Sequence, residues 1–248
     1  MGVIDTATNI SICNESLGLF GAEQIVIDTA SQNRTYCETF FARAYKEILA
    51  AHFWNFATKR AYALETTSPL YGYDNAFTIP SDCIRIWVID DNPLCNFKKV
   101  GSAIHTDSGD SPDTYSDDGV EYLAGQYVSY SDVTYLVDTG FTSSDWTTDL
   151  ASYMTTKTSD LKVIPIEYVY DQSDLSAWPD YVIQSVVYNL AIKVAPPITQ
   201  NSDSAVNFQK LLYDPNIGFL RNAKKFDAQE SGGQKVYTNA WLNSRQSS

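Results

Sequence analysis

Apolar residues recur at helical spacing toward the two ends of the chain and at strand spacing through its middle. Near the N-terminus Ile10, Cys13, Leu17 and Phe20 share one helical face, with Thr6 or Asn9 as the N-cap and Gly21 as the stop. A second helix is predicted from about Ser31 to Ala51. Ser31 caps it, and Cys37, Phe40, Phe41, Ala44, Ile48 and Leu49 form its apolar side. From about Phe56 to Tyr170 the pattern changes. FATKRAYALE, NAFTIP, CIRIWVID, YVSY, VTYLVD and LKVIPIEYVY are short, rich in β-branched and aromatic residues, and separated by Gly, Pro, Asn and Asp. Helical spacing returns over Trp178–Ala195, where Trp178, Val182, Val186, Leu190 and Val194 form a stripe. Ser176 is the expected cap, Pro179 the first helical residue, and Pro196-Pro197 the stop. A further helix begins near Ser202 or Asp203 and carries Val206, Leu211 and Leu212. Pro215 interrupts it, Asp214 can cap the next turn, and Ile217, Leu220, Ala223 and Phe226 continue the pattern.

The order helices, strands, helices predicts an α+β fold. Residues 1–55 and 172–230 would form a discontinuous helical bundle, because neither helical part alone buries its stripe. Residues 56–171 would form an inserted antiparallel β sandwich or barrel, and 231–248 an extended C-terminal arm.

Composition sharpens this picture. The chain has 248 residues, 44% apolar and 13% aromatic, enough for a sizeable core and too apolar for disorder. The formal net charge is −13, and it is unevenly spread. Residues 105–160 hold 11 acids and one base, Lys157, while 161–248 balance. A fold-wide basic face for phosphate neutralisation is excluded, and adhesion to anionic lipid is disfavoured. No apolar run reaches membrane-spanning length, and MGVIDTATNI lacks the basic-then-apolar pattern of a secretory signal. The acidic segment opens with HTDSGDSPDTYSDDG, which reads as an exposed loop. Its acids Asp107, Asp110, Asp113, Asp117 and Asp118 make a candidate negative surface.

Reactive chemistry is sparse. Cys13, Cys37, Cys83 and Cys95 fit no zinc spacing and read as free thiols of a reducing compartment. His52, in AAHFWNFA, is expected as a hydrogen-bonded core or edge residue, and His105 sits at the mouth of the acidic loop. The acids there do not follow a calcium-loop pattern, and Pro112 stands where such a loop needs Gly. No nucleophile elbow, P-loop or dinucleotide fingerprint occurs. The expectation is therefore a protein that is not an enzyme and has no cofactor or metal. A glycan hydrolase using two carboxylates, or a carbohydrate- or receptor-binding module using exposed Tyr and Trp of the β insertion, stays open as the alternative.

Several segments taken in order carry a likeness. They are ICNESLGLFGA with Cys13, Asn14, Leu17 and Gly21-Ala22, then FWNFATKR with Trp54, Phe56, Ala57 and Arg60. Then comes YGYDNAFTIPSDCIR with Tyr73, Ala76, Phe77, Pro80, Asp82, Cys83 and Arg85, and later Leu190, Ala191, Ala195, Ile198 and Thr199. This series resembles the tail tubular protein A family of short-tailed phages, the head-to-tail adaptors, over about residues 8–100 and 161–230. The resemblance implies a virion protein at the head–tail junction, made in the host cytoplasm. It implies a cyclic homo-oligomer of about twelve copies joined by head-to-tail contacts. The partners would be the portal protein, a tail nozzle protein of the tail tubular B kind, and genomic DNA that passes through without specific binding. In that setting the helical part would make most subunit contacts and meet the portal, while the β insertion would face the tail. Arg221, Lys224, Lys225, Lys235, Trp241 and Arg245 would reach along the portal. The net −10 segment would line the channel or its rim, where it repels phosphate.

Overall fold

The structure is a computed structural model that describes residues 4, 6–27, 29–110, 113–114, 121–122, 125–130, 133–137, 141–142, 154–156 and 161–230. The fold is α+β and divides into two compact units. One joins the residues up to Ala57 with those from Asp171 onward, and the other is Thr58–Tyr170.

The helical unit holds α1 (Ala7–Gly18), α2 (Gln32–Ala50), α3 (Asp180–Thr199), α4 (Asp203–Tyr213) and α5 (Phe219–Glu230). The first two begin where side-chain oxygens replace the missing helical acceptors. Thr6 accepts from the Asn9 N–H and Ser31 from that of Arg34. α3 is the hub and packs against each of the other four helices. Its stripe of Val182, Val186, Leu190 and Val194 is fully buried, and Ser185, Ala191 and Ala195 beside it let neighbours approach closely. Polar side chains tie the hub to its neighbours. The Ser16 hydroxyl donates to the Val187 carbonyl at 2.9 Å, and Asn189 donates to the Ala44 carbonyl at 2.9 Å and to Glu47 at 3.0 Å.

Three sequence expectations are corrected here. α3 does not stop at Pro196-Pro197. Both prolines lie inside its last turns, because a proline's fixed φ is helical and only its missing N–H is lost. The helix ends instead at Gln200, in the left-handed region at φ 54. Ser176 does not cap α3. It belongs to a 3-10 turn, Leu175–Ala177, and donates to Asp174, while Pro179 occupies the N-cap. Val206, Leu211, Ile217 and Phe226 are exposed, whereas Phe208, Leu212, Leu220 and Ala223 are buried. α4 and α5 therefore carry apolar residues on two faces.

The β-rich unit holds twelve strands among its described residues: β1 (Thr58–Leu64), β2 (Asn75–Thr78), β3 (Cys83–Ile89), β4 (Phe97–Val100), β5 (Ala103–Thr106), β6 (Asp113–Thr114), β7 (Glu121–Tyr122), β8 (Tyr127–Tyr130), β9 (Val133–Val137), β10 (Phe141–Thr142), β11 (Met154–Thr156) and β12 (Val163–Tyr170). They make small open sheets in the orders β1-β12-β3, β2-β5-β4, β11-β9-β8-β6 and β10-β7. All pairings are antiparallel except the short parallel pair β6–β8. Among the described residues no sheet closes on itself into a barrel. The two three-stranded sheets share one core, built from Phe77, Ile89, Ile104, Ile164, Ile166 and Tyr168. The acidic segment opens on the end of a strand, and residues 107–110 that follow form a loop. His105 lies in β5, opposite Ala76 and Lys98, because Ile104 and Thr106 beside it are drawn into the core.

A tight turn joins β3 to the loop before β4. Asp90 and Asp91 have φ of 58 and 46, and the Asn92 N–H donates to the Ile89 carbonyl at 3.1 Å. Two consecutive positive φ values closed by that bond are the pattern of a type I′ turn, in which Gly is best at the second central position. Asp91→Gly is expected to stabilise the protein by about 0.5–1 kcal/mol, read as a higher denaturant midpoint at unchanged slope.

Candidate functional site

Several of the residues singled out in the sequence act as structural posts. Asn14 exchanges two hydrogen bonds with the Ile25 backbone, at 2.7 and 3.1 Å, and so closes the loop after α1. Cys13 and Cys37 are buried, and all four cysteines are free. The Cys37 thiol and burial push the Cys13 thiol far above its ordinary range. The Trp54 indole donates to the Ile48 carbonyl at 2.8 Å. Phe77 fills the β-unit core. Asp82 receives the Lys59 ammonium at 2.9 Å and the Tyr168 hydroxyl at 3.0 Å, so it fastens the end of the β2–β3 connection to β1 and β12. Lys59 also lies 3.9 Å over the Tyr170 ring.

Burial alone would raise the Asp82 carboxyl. The Lys59 and Tyr168 hydrogen bonds outweigh it and hold the group below the ordinary carboxylate range. A depressed folded pKa contributes stability that is present above the unfolded value and is lost as pH falls through the folded one. Asp82→Ala is expected to cost about 1 kcal/mol at neutral pH, because the site is partly solvated. Urea midpoints of the variant and the parent should converge as pH is lowered toward 2.

His52 is a half-buried edge residue whose Nε2 lies 3.3 Å from the nearly buried Asp227 carboxylate, and its ring meets that of Trp54 edge-on. Asp227 also accepts from the Asn55 backbone N–H at 3.0 Å, while its own carbonyl accepts from the Asn55 amide at 2.7 Å. This cluster fastens α5 to the segment that follows α2. It is positioned to hold a helix.

Two surfaces remain that the core does not explain. The first is the outer face of α4, α5 and their connection. Val206, Lys210, Tyr213 and Pro215 line an open groove of about 410 Å³, and Ile217 beside it is 72% exposed. The connection is fixed rather than loose. The Asp214 carboxylate accepts from the N–H groups of Asn216 and Ile217, and a Cβ on Gly218 would stand 2.6 Å from the Asp214 carbonyl oxygen. Those amide hydrogen bonds keep the Asp214 carboxyl below its ordinary range. Of the predicted portal-facing cations, α5 carries Arg221, Lys224 and Lys225. Arg221 donates to the Asn216 carbonyl. Lys235, Trp241 and Arg245 lie outside the described residues.

The second surface is one end of the β2-β5-β4 sheet. Asn75 at the start of β2 and Phe97 at the start of β4 both face Thr106 at the end of β5. The loops 66–74, 90–96 and 107–110 therefore gather at that end. They are cross-braced. Asp107 accepts from the Asp74 N–H at 3.0 Å, Thr106 donates to the Asn96 carbonyl at 2.9 Å, and Cys95 Sγ lies 3.0 Å from Ser108 Oγ. Leu70, Tyr71 and Leu94 protrude, 99%, 88% and 87% exposed. The predicted acids Asp107 and Asp110 belong to this end, and the Asp110 backbone bridges Val163. Asp113 lies in β6, but its side chain, with Asp117 and Asp118, falls outside the described residues.

The protruding apolar residues were not among the sequence candidates. Their signal is there, however. SPLYGYD and DNPLCN place Leu and Tyr inside turn-forming sequence, where no strand or helix periodicity buries them. The β unit also holds an open groove of about 380 Å³ lined by Arg60, Tyr62, Asp91, Gln126 and Pro165. Among the described residues no cluster of His, Cys, Asp and Glu is arranged to hold a metal, and no helix is long and apolar enough to cross a membrane. No protein-family model matches the chain and no curated protein matches it, so the conclusion that stands at this point is structural: an α+β chain of two compact units, each presenting a braced apolar surface edged with charge.

Proposed function

We propose that this chain is a structural virion protein that forms a ring of about twelve copies at the head–tail junction of a short-tailed phage. In that role it links the portal to the tail nozzle and forms part of the DNA channel. The observation that carries the proposal is the ordered series from Asn14 through Trp54 and Phe77 to Asp82, the residues that resemble the tail tubular protein A pattern. Each of them sits at a bracing position of one unit or the other. A ring protein needs rigid subunits whose surfaces do the work, and rigid bracing under exposed apolar side chains supplies that.

The mechanism is mechanical. Subunits meet through two different faces, so the contact propagates until the ring closes. The acidic stretch 105–160, net −10, borders the passage and keeps DNA from adhering, since a basic wall would gain affinity by releasing counterions. Lys235, Trp241 and Arg245, in the stretch after Glu230, meet the portal. Disrupting the gene in its phage tests the proposal. Filled heads that lack tails and leak DNA are the expected product, and intact infectious particles would contradict it.

The groove at Arg60, Tyr62 and Asp91 favours a second reading, a glycan-binding surface, because an aromatic ring beside an ion pair and a carboxylate is suited to sugar hydroxyls. Binding of the full chain to a glycan array, lost in Tyr62→Ala, would select it.

A further inference from the structure

We propose that the braced loop end of the β-rich unit docks on the α4–α5 face of the next copy of the same chain; this rests on the ring function above and names its subunit contact. Leu70, Tyr71 and Leu94 are almost wholly exposed. Scattered apolar side chains are ordinary on a surface, but these stand at one end of one sheet. The bonds Asp74–Asp107, Cys95–Ser108 and Thr106–Asn96 brace the loops where they leave the sheet. That bracing lowers the conformational entropy given up on docking.

Charge says what kind of surface receives it. The loops 66–74, 90–96 and 107–110 hold Asp74, Asp90, Asp91, Asp107 and Asp110 and no base, against one cation at their edge, Lys162, bonded to Asn75. The receiving face therefore needs an apolar recess edged with cations. Residues 206–225 meet that description. They carry Lys210, Arg221, Lys224 and Lys225 against the single acid Asp214, whose carboxylate is already engaged by backbone N–H groups. Within this stretch lie the Val206–Tyr213 groove and the exposed Ile217. The two surfaces differ and complement each other, so the contact is heterologous, the kind that builds a ring when the rotation between copies closes. The residues after Glu230 are left to the portal.

The contact is small, and rim charges act mostly on encounter rate. A weak, salt-sensitive pairwise association is therefore expected, strengthened when the ring closes and each copy is held on both sides.

Two variants of the full chain test this: a tip variant, Leu70→Ser with Tyr71→Ser and Leu94→Ser, and a face variant, Val206→Ser with Ile217→Ser and Lys210→Glu. All six positions are exposed or line an open groove, and circular dichroism melts verify folding. Sedimentation of the wild-type chain should show self-association that weakens as salt rises from about 50 to 500 mM. Each variant alone should associate at least tenfold more weakly. An equimolar mixture should recover a two-chain complex, because the face variant still owns a good tip and the tip variant a good face. The inference is overturned if the wild type stays monomeric at about 1 mM, if either variant associates like wild type, or if the mixture stays monomeric. It is also overturned, with the adaptor function left standing, if the tip variant still forms normal rings on purified portal. A wild-type chain that self-associates as described but never engages portal would instead remove the adaptor function and leave the contact.

Discussion

Gly109→Ala is expected to destabilise the β-rich unit by about 4 kcal/mol. Gly109 has φ +139, a conformation open in practice only to glycine, and a Cβ there would stand 2.4 Å from Phe77 Cζ. Backbone strain of this kind costs about 1–3 kcal/mol, and overpacking a core about 1–3 more. Phe77 cannot swing aside, because it is fully buried among Ile104, Ile164 and their neighbours. Gly101→Ala is the control. It too has positive φ, but open space surrounds the missing Cβ, so about 1 kcal/mol is expected. Urea denaturation read by hydrogen exchange in β5 and β12 measures both. In the Gly109→Ala background Phe77→Leu, which removes the colliding ring atom, should cost less than it does alone. Additive costs would show that the collision does not govern the site.

Asp227→Ala is expected to cost about 2–3 kcal/mol and to free α5 before the rest of the helical unit. α5 is held inward by Leu220, Ala223 and Asp227, so a carboxylate stands at the third position of its buried stripe. Removing it strands the Asn55 N–H and takes away the carboxylate 3.3 Å from His52 Nε2. Asp227→Asn keeps an acceptor for Asn55 and should stay within about 1 kcal/mol of the parent. The pH dependence has a fixed sign. Burial raises the Asp227 carboxyl above its ordinary value, against the opposing pull of the Asn55 N–H and His52. The folded state then binds this proton more tightly than the unfolded chain does. Its contribution is fully present below the ordinary carboxylate pKa and is lost as pH rises through the folded one. Relative to Asp227→Asn, the parent should therefore lose stability as pH rises from about 3.5 through that window. A parent that gains on the variant over the same range would contradict the assignment.

What the sequence made legible follows from local rules. Ser31 caps α2 as read and Thr6, one of two candidates with Asn9, caps α1, because each hydroxyl accepts from an N–H that the first turn leaves without a helical acceptor. The strand segments around Phe77, Ile86 and Ile166 also form as read, since short runs rich in β-branched and aromatic residues between turn formers suit a strand. The run past Pro196-Pro197 was not legible. Periodicity treats a proline pair as a stop, yet the pair's fixed φ is helical, and so near the end of a helix it forfeits only two of the helical bonds. Nor did periodicity tell Val206 from Phe208. In α4 both are apolar, and only packing against α3 decides that Phe208 is buried. The same limit hid the surfaces argued here. Sequence reading assigns apolar residues to a core by default, so Leu70, Leu94 and Ile217 stand out only once the loops and the α4–α5 turn are placed. Of the acidic candidates, Asp107 turned out to brace a neighbouring loop through the Asp74 N–H, a role that charge counting does not contain.

The central claim is that these residues supply surface complementarity for a neck ring. Electron microscopy of the full-length chain mixed with the portal ring of its phage tests it most directly. The account predicts a rotationally symmetric layer of about twelve copies stacked on the portal, with neighbouring copies joined between the Leu70–Leu94 end and the α4–α5 face. Portal particles left bare while the chain remains free in solution would contradict it.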